Sequence, residues 1–158
     1  MAAAGSRVYV VAMTRVAVTG AITLIQIKAA AAVPLQIIRA EISQSSSTTS
    51  TQQTAQLNRK SAAATVTSFT PITQGPSTDP AASAVGGTSA TGTNASAEGT
   101  DGNILRQGVW NYLNGFLFLP TPKEYPFVDG GAIVGLKFPV APGSSLTVTA
   151  DTVFEELG

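Results

Sequence analysis

Few residues of this chain have a type and spacing that could perform chemistry. Glu155-Glu156 is the only adjacent acidic pair. Neighbouring residues of a strand point to opposite faces, so these two carboxyls cannot work together as a general acid and base. Asp129 could join a calcium site, but a single carboxylate beside Gly130-Gly131 is more typical of a turn.

Two other motifs match the sequence pattern of a functional site but lack the context that such a site requires. Gly86-Gly87-Thr88 lacks the lysine and the strand-to-helix context of a phosphate-binding loop, so we predict a turn there. The Asn-Ala-Ser run at residues 94–96 matches a glycosylation acceptor, but nothing in the sequence resembles an export signal. The sequence therefore predicts no catalytic, cofactor-binding or metal-binding residue, no cofactor and no enzyme.

Composition removes the commonest active-site groups. The chain has no cysteine and no histidine, which excludes disulfides, thiolate chemistry and an imidazole base. Apolar residues make up 44% of the chain, but charged residues only 11%, well below the usual quarter. A surface of Ser, Thr, Gln, Ala and Gly suits extensive neutral contacts with other copies or with a shell. We expect no nucleic-acid partner and no membrane segment, since the chain has no basic run and no long apolar run.

The charges are divided unequally along the chain. Residues 1–60 contain six basic residues and one acidic residue, a net +5, and residues 61–158 contain three basic and eight acidic residues, a net −5. We expect these halves to pair within one domain, because strands distant in sequence often lie side by side in β folds. The alternative is that the two halves meet between subunits and fix the register of an assembly.

Alternating apolar residues at 134–140 and 146–151 give the clearest structural signal. A period of two is typical of strands with one face in a core, and residues 141–145 supply turn residues between them. We predict that these two strands form an antiparallel pair. At 158 residues, the chain is long enough for a single domain with a substantial core.

Further strands are predicted at residues 7–18, 22–27, 35–43, 52–59 and 63–69, and two more within 104–119 around Asn114-Gly115. The sequence thus predicts an all-β, antiparallel sandwich of seven to nine strands, spanning residues 1–158, with no helix longer than two turns. Both faces of the strand at 7–18 are apolar, so it is either central or covered by a neighbouring molecule. The predicted core includes Ile22, Leu24, Ile37, Trp110, Val134, Leu136, Phe138, Leu146 and Val148.

Three segments have too few large apolar residues to be predicted as core strands. Residues 1–6 are predicted to be a loose arm, and residues 44–53 an exposed turn. Residues 75–103 are predicted to be one long loop rich in Ser, Thr, Gly and Ala. A loop of this length is usually functional or disordered until bound, so it is either a flexible linker or an arm that is ordered against a neighbouring subunit or a shell protein.

Several turn and terminus motifs occur together in the last third of the chain. They are Trp110-Asn111, Leu119-Pro120-Thr121-Pro122-Lys123-Glu124, the turn at residues 126–131, Ala141-Pro142, and the ending Phe154-Glu155-Glu156-Leu157-Gly158. Together they resemble a family of small head proteins of tailed bacteriophages, the capsid decoration or cement proteins. The resemblance implies a jelly-roll β-sandwich, made in the host cytoplasm and carried on the outer surface of the virion. It also implies two partners, the major capsid protein and the chain itself, as a homotrimer rather than a homodimer.

Two functional hypotheses follow. The first is a decoration protein that stabilises contacts between capsomers. The second is a carbohydrate- or receptor-binding β-sandwich of a phage tail or fibre, because jelly rolls also serve lectins and fold alone does not decide function. In the second hypothesis, Trp110, Tyr112 and Tyr125 are the candidates for stacking on a ligand.

Overall fold

The computed structural model describes residues 7–89 and 98–158. It confirms an all-β sandwich of two six-stranded antiparallel sheets. The strands are β1 (Val8–Val18), β2 (Ile22–Lys28), β3 (Leu35–Gln44), β4 (Gln52–Ala62), β5 (Thr67–Phe69), β6 (Ile72–Thr73), β7 (Val85–Thr88), β8 (Thr100–Asn111), β9 (Phe116–Phe118), β10 (Phe127–Val128), β11 (Ile133–Phe138) and β12 (Leu146–Glu156). A three-residue 3-10 turn, Pro122–Glu124, separates β9 from β10. No helix in the described residues is long and apolar enough to span a membrane. The predicted arm at 1–6 and the Asn-Ala-Ser motif lie outside these residues.

The two sheets are built from nested strand pairs. Sheet A has the order β10-β3-β12-β1-β6, with β9 also paired to β3, and sheet B has the order β5-β7-β2-β11-β4-β8. The first strand pairs with the last, β1 with β12, and the second with the second-last, β2 with β11. Inside these, β3 pairs with β9 and β4 with β8. Each successive pair lies in the opposite sheet from the one before it.

The core lies between the sheets and contains all nine residues that the sequence predicts, each buried. In sheet B, Val134, Leu136 and Phe138 point inward on alternate positions. In sheet A, Leu146 and Val148 do the same. Aromatic rings fill the two ends of the core, with Tyr9 and Phe154 at a centroid distance of 5.7 Å and Trp110 and Phe138 at 6.2 Å.

The predicted pairing of the last two strands is wrong. β11 lies in sheet B between β2 and β4, whereas β12 lies in sheet A between β1 and β3. The intervening turn residues carry the chain from one sheet across to the other. Alternation identifies which side chains enter the core, but two strands on opposite sides of one core show the same alternation as two neighbours.

The predicted loop at 75–103 is also wrong in part, because it contains β7 and the first residues of β8. The turn predicted at Gly86-Gly87-Thr88 is instead part of β7, which pairs with β2 and β5. A Cβ atom on Gly86 would lie 2.5 Å from Val11 Cγ2, and one on Gly87 would overlap Val66. Glycine is therefore needed here for close packing, because a side chain at either position would clash with a neighbouring segment.

The number of strands exceeds the prediction, since twelve are found in the described residues and not seven to nine. The additional strands β6, β7 and β10 have two to four residues each, too few for alternation to be visible. The strand predicted at 63–69 is present but shorter, as β5. The exposed turn predicted at 44–53 is confirmed for residues 45–51, whereas its ends belong to β3 and β4. The turn at Asn114-Gly115 is confirmed too, but β8 and β9 on either side of it belong to different sheets.

Candidate functional site on the outer face of sheet A

A row of apolar side chains crosses the outer face of sheet A. Ile72 of β6 lies opposite Val10 of β1, and Val10 lies opposite Val153 of β12. Val153 lies opposite Arg39 of β3, next to Ile38. We call the outward-facing set the apolar row; its members are Ile72, Val8, Val10, Val153, Ile38 and Leu119.

The two ends of the apolar row are open to solvent. Ile72 is 62% exposed and Leu119 is 64% exposed, while Val8, Val10 and Ile38 are half-buried and Val153 between them is buried, at 8%. Because the side chains belong to adjacent strands, they form one continuous surface and not isolated exposed residues. Contiguous apolar patches of this kind mark surfaces that bind other proteins.

The sequence of β1 explains why the row exists. Tyr9, Val11 and Met13 enter the core, so Val8 and Val10 must point outward. The sequence predicts that such a strand is either central or covered by a neighbour on its outer face. In the structure, β1 has the short strand β6 on one side and its outer face is only partly covered.

The apolar row contains a shallow depression near Leu119. Val8, Ile38, Val153 and Leu119 form its apolar lining, with Arg39 and Gln74 as the polar part, and its volume is about 270 Å³. This volume is at the lower limit for a small-molecule pocket. It is large enough to receive one or two apolar side chains of a partner.

A charge cluster borders the apolar row. Arg39 lies between two carboxylates, with its Nη2 3.3 Å from Asp151 and its Nε 3.8 Å from Glu41. Burial of the Asp151 carboxyl and the neighbouring Glu41 carboxyl raise the Asp151 pKa, and Arg39 only partly opposes them. Ionisation of Asp151 is therefore less favourable in the folded chain than in the unfolded chain, and the cluster contains two carboxyls and one base.

The outer face of sheet B is organised differently, around a buried lysine. The Lys60 side chain is fully buried, and its ammonium donates at 2.8 Å both to the Asp101 carboxylate and to the Glu98 carbonyl. Lys137 donates to the same carboxylate. Burial alone raises the pKa of Asp101, but Lys137, Lys60 and the neighbouring Asn58 amide outweigh burial and lower it to about 2.

Segments of the chain itself cover this face of sheet B. The Glu98 carboxylate accepts a hydrogen bond from the Thr23 backbone N–H at 2.6 Å. The Gln26 side-chain oxygen accepts one from the Ala64 backbone N–H at 2.7 Å. Thr23 and Gln26 on β2 are both buried, so the segments before β5 and before β8 cover this part of the face, while Val109 of β8 stays 61% exposed.

The opposite charges of the two sequence halves meet within the sandwich. Arg39 pairs with Asp151, Lys60 with Asp101, and Arg59 with Asp129, with Arg59 Nη1 3.7 Å from the carboxylate. The prediction of pairing inside one domain is confirmed for these residues.

The residues that the sequence singled out for chemistry are not brought together. Glu155 accepts a hydrogen bond from Gln36, whereas the buried Glu156 accepts one from the Ala84 backbone N–H at 2.7 Å. The two carboxyls thus point to opposite faces, as predicted. Asp129 lies in a turn, and its backbone carbonyl accepts a hydrogen bond from the Ala132 N–H. Among the described residues, no three acidic side chains converge as metal ligands would.

Two of the three candidate stacking residues are inside the protein. Trp110 is 5% exposed and Tyr112 is 2% exposed, and their rings contact each other at 5.7 Å. Tyr125 is half-buried. These rings therefore do not form a platform on which a sugar could stack.

Sequence inspection missed the apolar row because its members are far apart in the chain. One signal was present: β1 is apolar on both faces. The sequence around Ile72 and Leu119 contains no such signal, because each residue lies next to a proline or in a short segment. Both residues join the apolar row only through the pairing of strands. Comparisons of the chain with family models, with curated proteins and with solved structures find no match.

Proposed function

We propose that this chain is a capsid decoration protein of a tailed bacteriophage, and that the apolar row binds the outer surface of the shell. The observation that carries the proposal is a continuous apolar surface that crosses the outer face of sheet A, from the exposed Ile72 to the exposed Leu119. The motifs in the last third of the chain support a location on a phage head, because they resemble those of decoration proteins.

The strand order supports a jelly-roll architecture. The nested pairs β1–β12, β2–β11, β3–β9 and β4–β8 alternate between the sheets. A jelly roll is an eight-stranded, two-sheet fold of this kind and is common in viral capsid proteins. In this proposal, β5, β6, β7 and β10 are short additions to those eight strands.

The chemistry of the apolar row supports a protein partner. Protein interfaces have an apolar centre that excludes water and a polar rim that fixes register. Val10, Val153 and Ile38 supply the centre, and the Arg39, Asp151 and Glu41 cluster lies at the rim. A partner with an apolar side chain for the depression and a basic group for the acidic excess would complement this surface.

The same geometry disfavours the carbohydrate-binding hypothesis. A stacking platform needs exposed aromatic faces, and the rings of Trp110 and Tyr112 are buried. Screening against glycans should therefore give no binding that is lost on substitution of Tyr125, the remaining candidate.

The copy number in purified particles tests the setting of the proposal. We expect the chain to be present in many copies, in a fixed ratio to the major shell protein. Absence from the head, or a few copies at a single vertex, would contradict it.

Substitution of the row tests the surface. We expect Leu119→Lys to abolish binding to particles that lack the chain, while leaving unfolding unchanged within about 0.5 kcal/mol because the site is exposed. Leu113→Lys is the matched control, since Leu113 is a similarly exposed leucine (55%) at the other end of β9. Equal binding by both variants would show that the apolar row is not part of the interface.

A further inference from the structure

The strand β8 is an unusually long open sheet edge. It has 12 residues and, in the part of the chain that the structure describes, pairs with β4 alone. The edge strands β5 and β6 have three and two residues. Edge strands present unpaired N–H and C=O groups, and proteins usually keep such edges short or interrupted. The length of β8 therefore needs an explanation.

Only one half of β8 is interrupted. Residues 106–111 pair one to one with residues 52–57 of β4, and the register shifts all lie in the half that starts at Thr100. β-Bulges twist an edge away from a new partner. Residues 106–111 lack that protection and form a regular ladder ready to accept another strand.

The side chains of this half do not reject a neighbouring strand. Residues 106–111 contain no lysine and no proline. The guanidinium of Arg106 lies 5.6 Å from the centre of the Phe118 ring, so it is directed toward the interior side of the sheet. On the outer face stand Gln107, Val109 and Asn111, and Val109 is 61% exposed.

We propose that β8 pairs with β8 of a second copy of this chain, antiparallel and centred on Val109. In this register, Val109 lies opposite Val109 of the other copy, Gln107 lies opposite Asn111, and Gly108 lies opposite Trp110. A two-fold axis then passes midway between the two Val109 residues, perpendicular to the sheet. The two six-stranded B sheets join into one continuous sheet.

The pattern of β8 is what selects a second copy as the occupant. Its outer face has the order polar, apolar, polar about Val109, which is unchanged when the strand is reversed. A two-fold contact needs a surface that is complementary to itself, and this strand has that property. The register also pairs two exposed β-branched residues and places no like charges opposite each other.

This inference concerns a different surface from the apolar row and does not depend on the proposed function. It differs from the homotrimer implied by the sequence resemblance. A pair joined through β8 also leaves the outer face of sheet A open for a further partner.

Sedimentation of the full chain tests the inference. We expect a mass of about twice the 16.0 kDa of one chain. Val109→Lys and Val109→Glu should each raise the dissociation constant by about tenfold or more, because each places two like charges at the axis. An equimolar mixture of the two variants should restore the dimer.

The matched control is Thr54→Lys. Thr54 lies directly opposite Val109 on β4, on the same outer face but one strand inward. We expect this variant to remain dimeric, since its charge is away from the axis. Circular dichroism of all variants checks that the sandwich is retained.

A disulfide gives an independent measurement, because the chain has no cysteine of its own. Directly opposed residues of antiparallel strands have Cβ atoms about 4.5–5.5 Å apart, close to the range that a disulfide bridges. Oxidised Val109→Cys should run as a covalent dimer, and Thr54→Cys should not.

The contrary outcomes are distinct. A single-chain mass up to millimolar concentration, a trimer, or a dimer that survives both charge variants would overturn the inference. A monomer that captures a foreign β-strand peptide through Val109 would overturn it as well, because the occupant would then not be a second copy.

Discussion

The two outer faces of the sandwich differ in how each is covered. On sheet B, the chain's own segments cover the part around Lys60 and pair this lysine with Asp101. Sheet A leaves Ile72 and Leu119 open at the ends of a continuous apolar row. The part of sheet B around Lys60 is satisfied internally, although Val109 of β8 is 61% exposed. The difference is that the chain's own segments pair the charges of sheet B, whereas none of the described segments covers Ile72 or Leu119.

The largest expected effect is the loss of the buried ion pair. Asp101→Asn leaves Lys60 buried without its carboxylate, and we expect this to lower the free energy of unfolding by about 2 kcal/mol. That value is below the usual cost of breaking a fully buried pair, because Asp101 itself is 37% exposed. Urea unfolding at neutral pH measures it.

The matched substitution on sheet A is Asp151→Asn. Burial and the Glu41 carboxyl oppose the gain that Arg39 gives to the Asp151 carboxylate, so a neutral amide should change stability by less than about 0.5 kcal/mol. Equal losses for the two variants would contradict the distinction between the faces.

The next effect comes from packing under Lys60. A Cβ atom on Gly135 would lie 2.8 Å from Lys60 Cε, so Gly135→Ala should cost about 1 kcal/mol, at the low end for overpacking because the lysine side chain is flexible. Gly143→Ala is the control, because nothing lies within 4 Å of a Cβ added there. Thermal unfolding of both variants compares them, and a harmless Gly135→Ala would show that the part of sheet B around Lys60 is loosely packed.

The fold was predictable from sequence where strands are long and regular. The alternation through Val134 and Leu136 identified core residues correctly, because burial of one face is a local property of a strand. Pairing partners were not predictable in the same way, and β11 and β12 were wrongly paired. The choice between sheets depends on the whole topology.

The candidate site depends still more on topology. Val10 and Val153 become neighbours only through the ladder between the first and last strands. The strand β7 could not be predicted either, because Gly86 and Gly87 have no side chains that could show alternation. What each glycine faces is set by residues that are far away in the sequence.

The last expected effect is a divergence between the two aspartates in acid. Asp101 has a pKa of about 2, below its ordinary value of 3.8, so its contribution is present above pH 3.8 and is lost as the pH falls toward 2. Asp151 has a raised pKa, so its contribution is greatest below pH 3.8 and is lost as the pH rises through the raised value.

Urea unfolding of the unmodified chain and the two variants between pH 2 and pH 7 measures this divergence. In acid, the unmodified chain should lose its stability advantage over Asp101→Asn. Over the same pH range, it should gain stability relative to Asp151→Asn. Parallel pH profiles would show that the two carboxyls have the same environment.

Hydroxyl-radical footprinting of the chain, free and on purified particles, tests the central claim most directly. In the free chain, the exposed side chains of Ile72, Leu119 and Leu113 should all react. On particles, we expect Ile72 and Leu119 to lose most of their reactivity and Leu113 to keep it, because only the first two belong to the apolar row. Unchanged labelling of Ile72 and Leu119 on particles that carry the chain would contradict the claim that the outer face of sheet A is the docking surface.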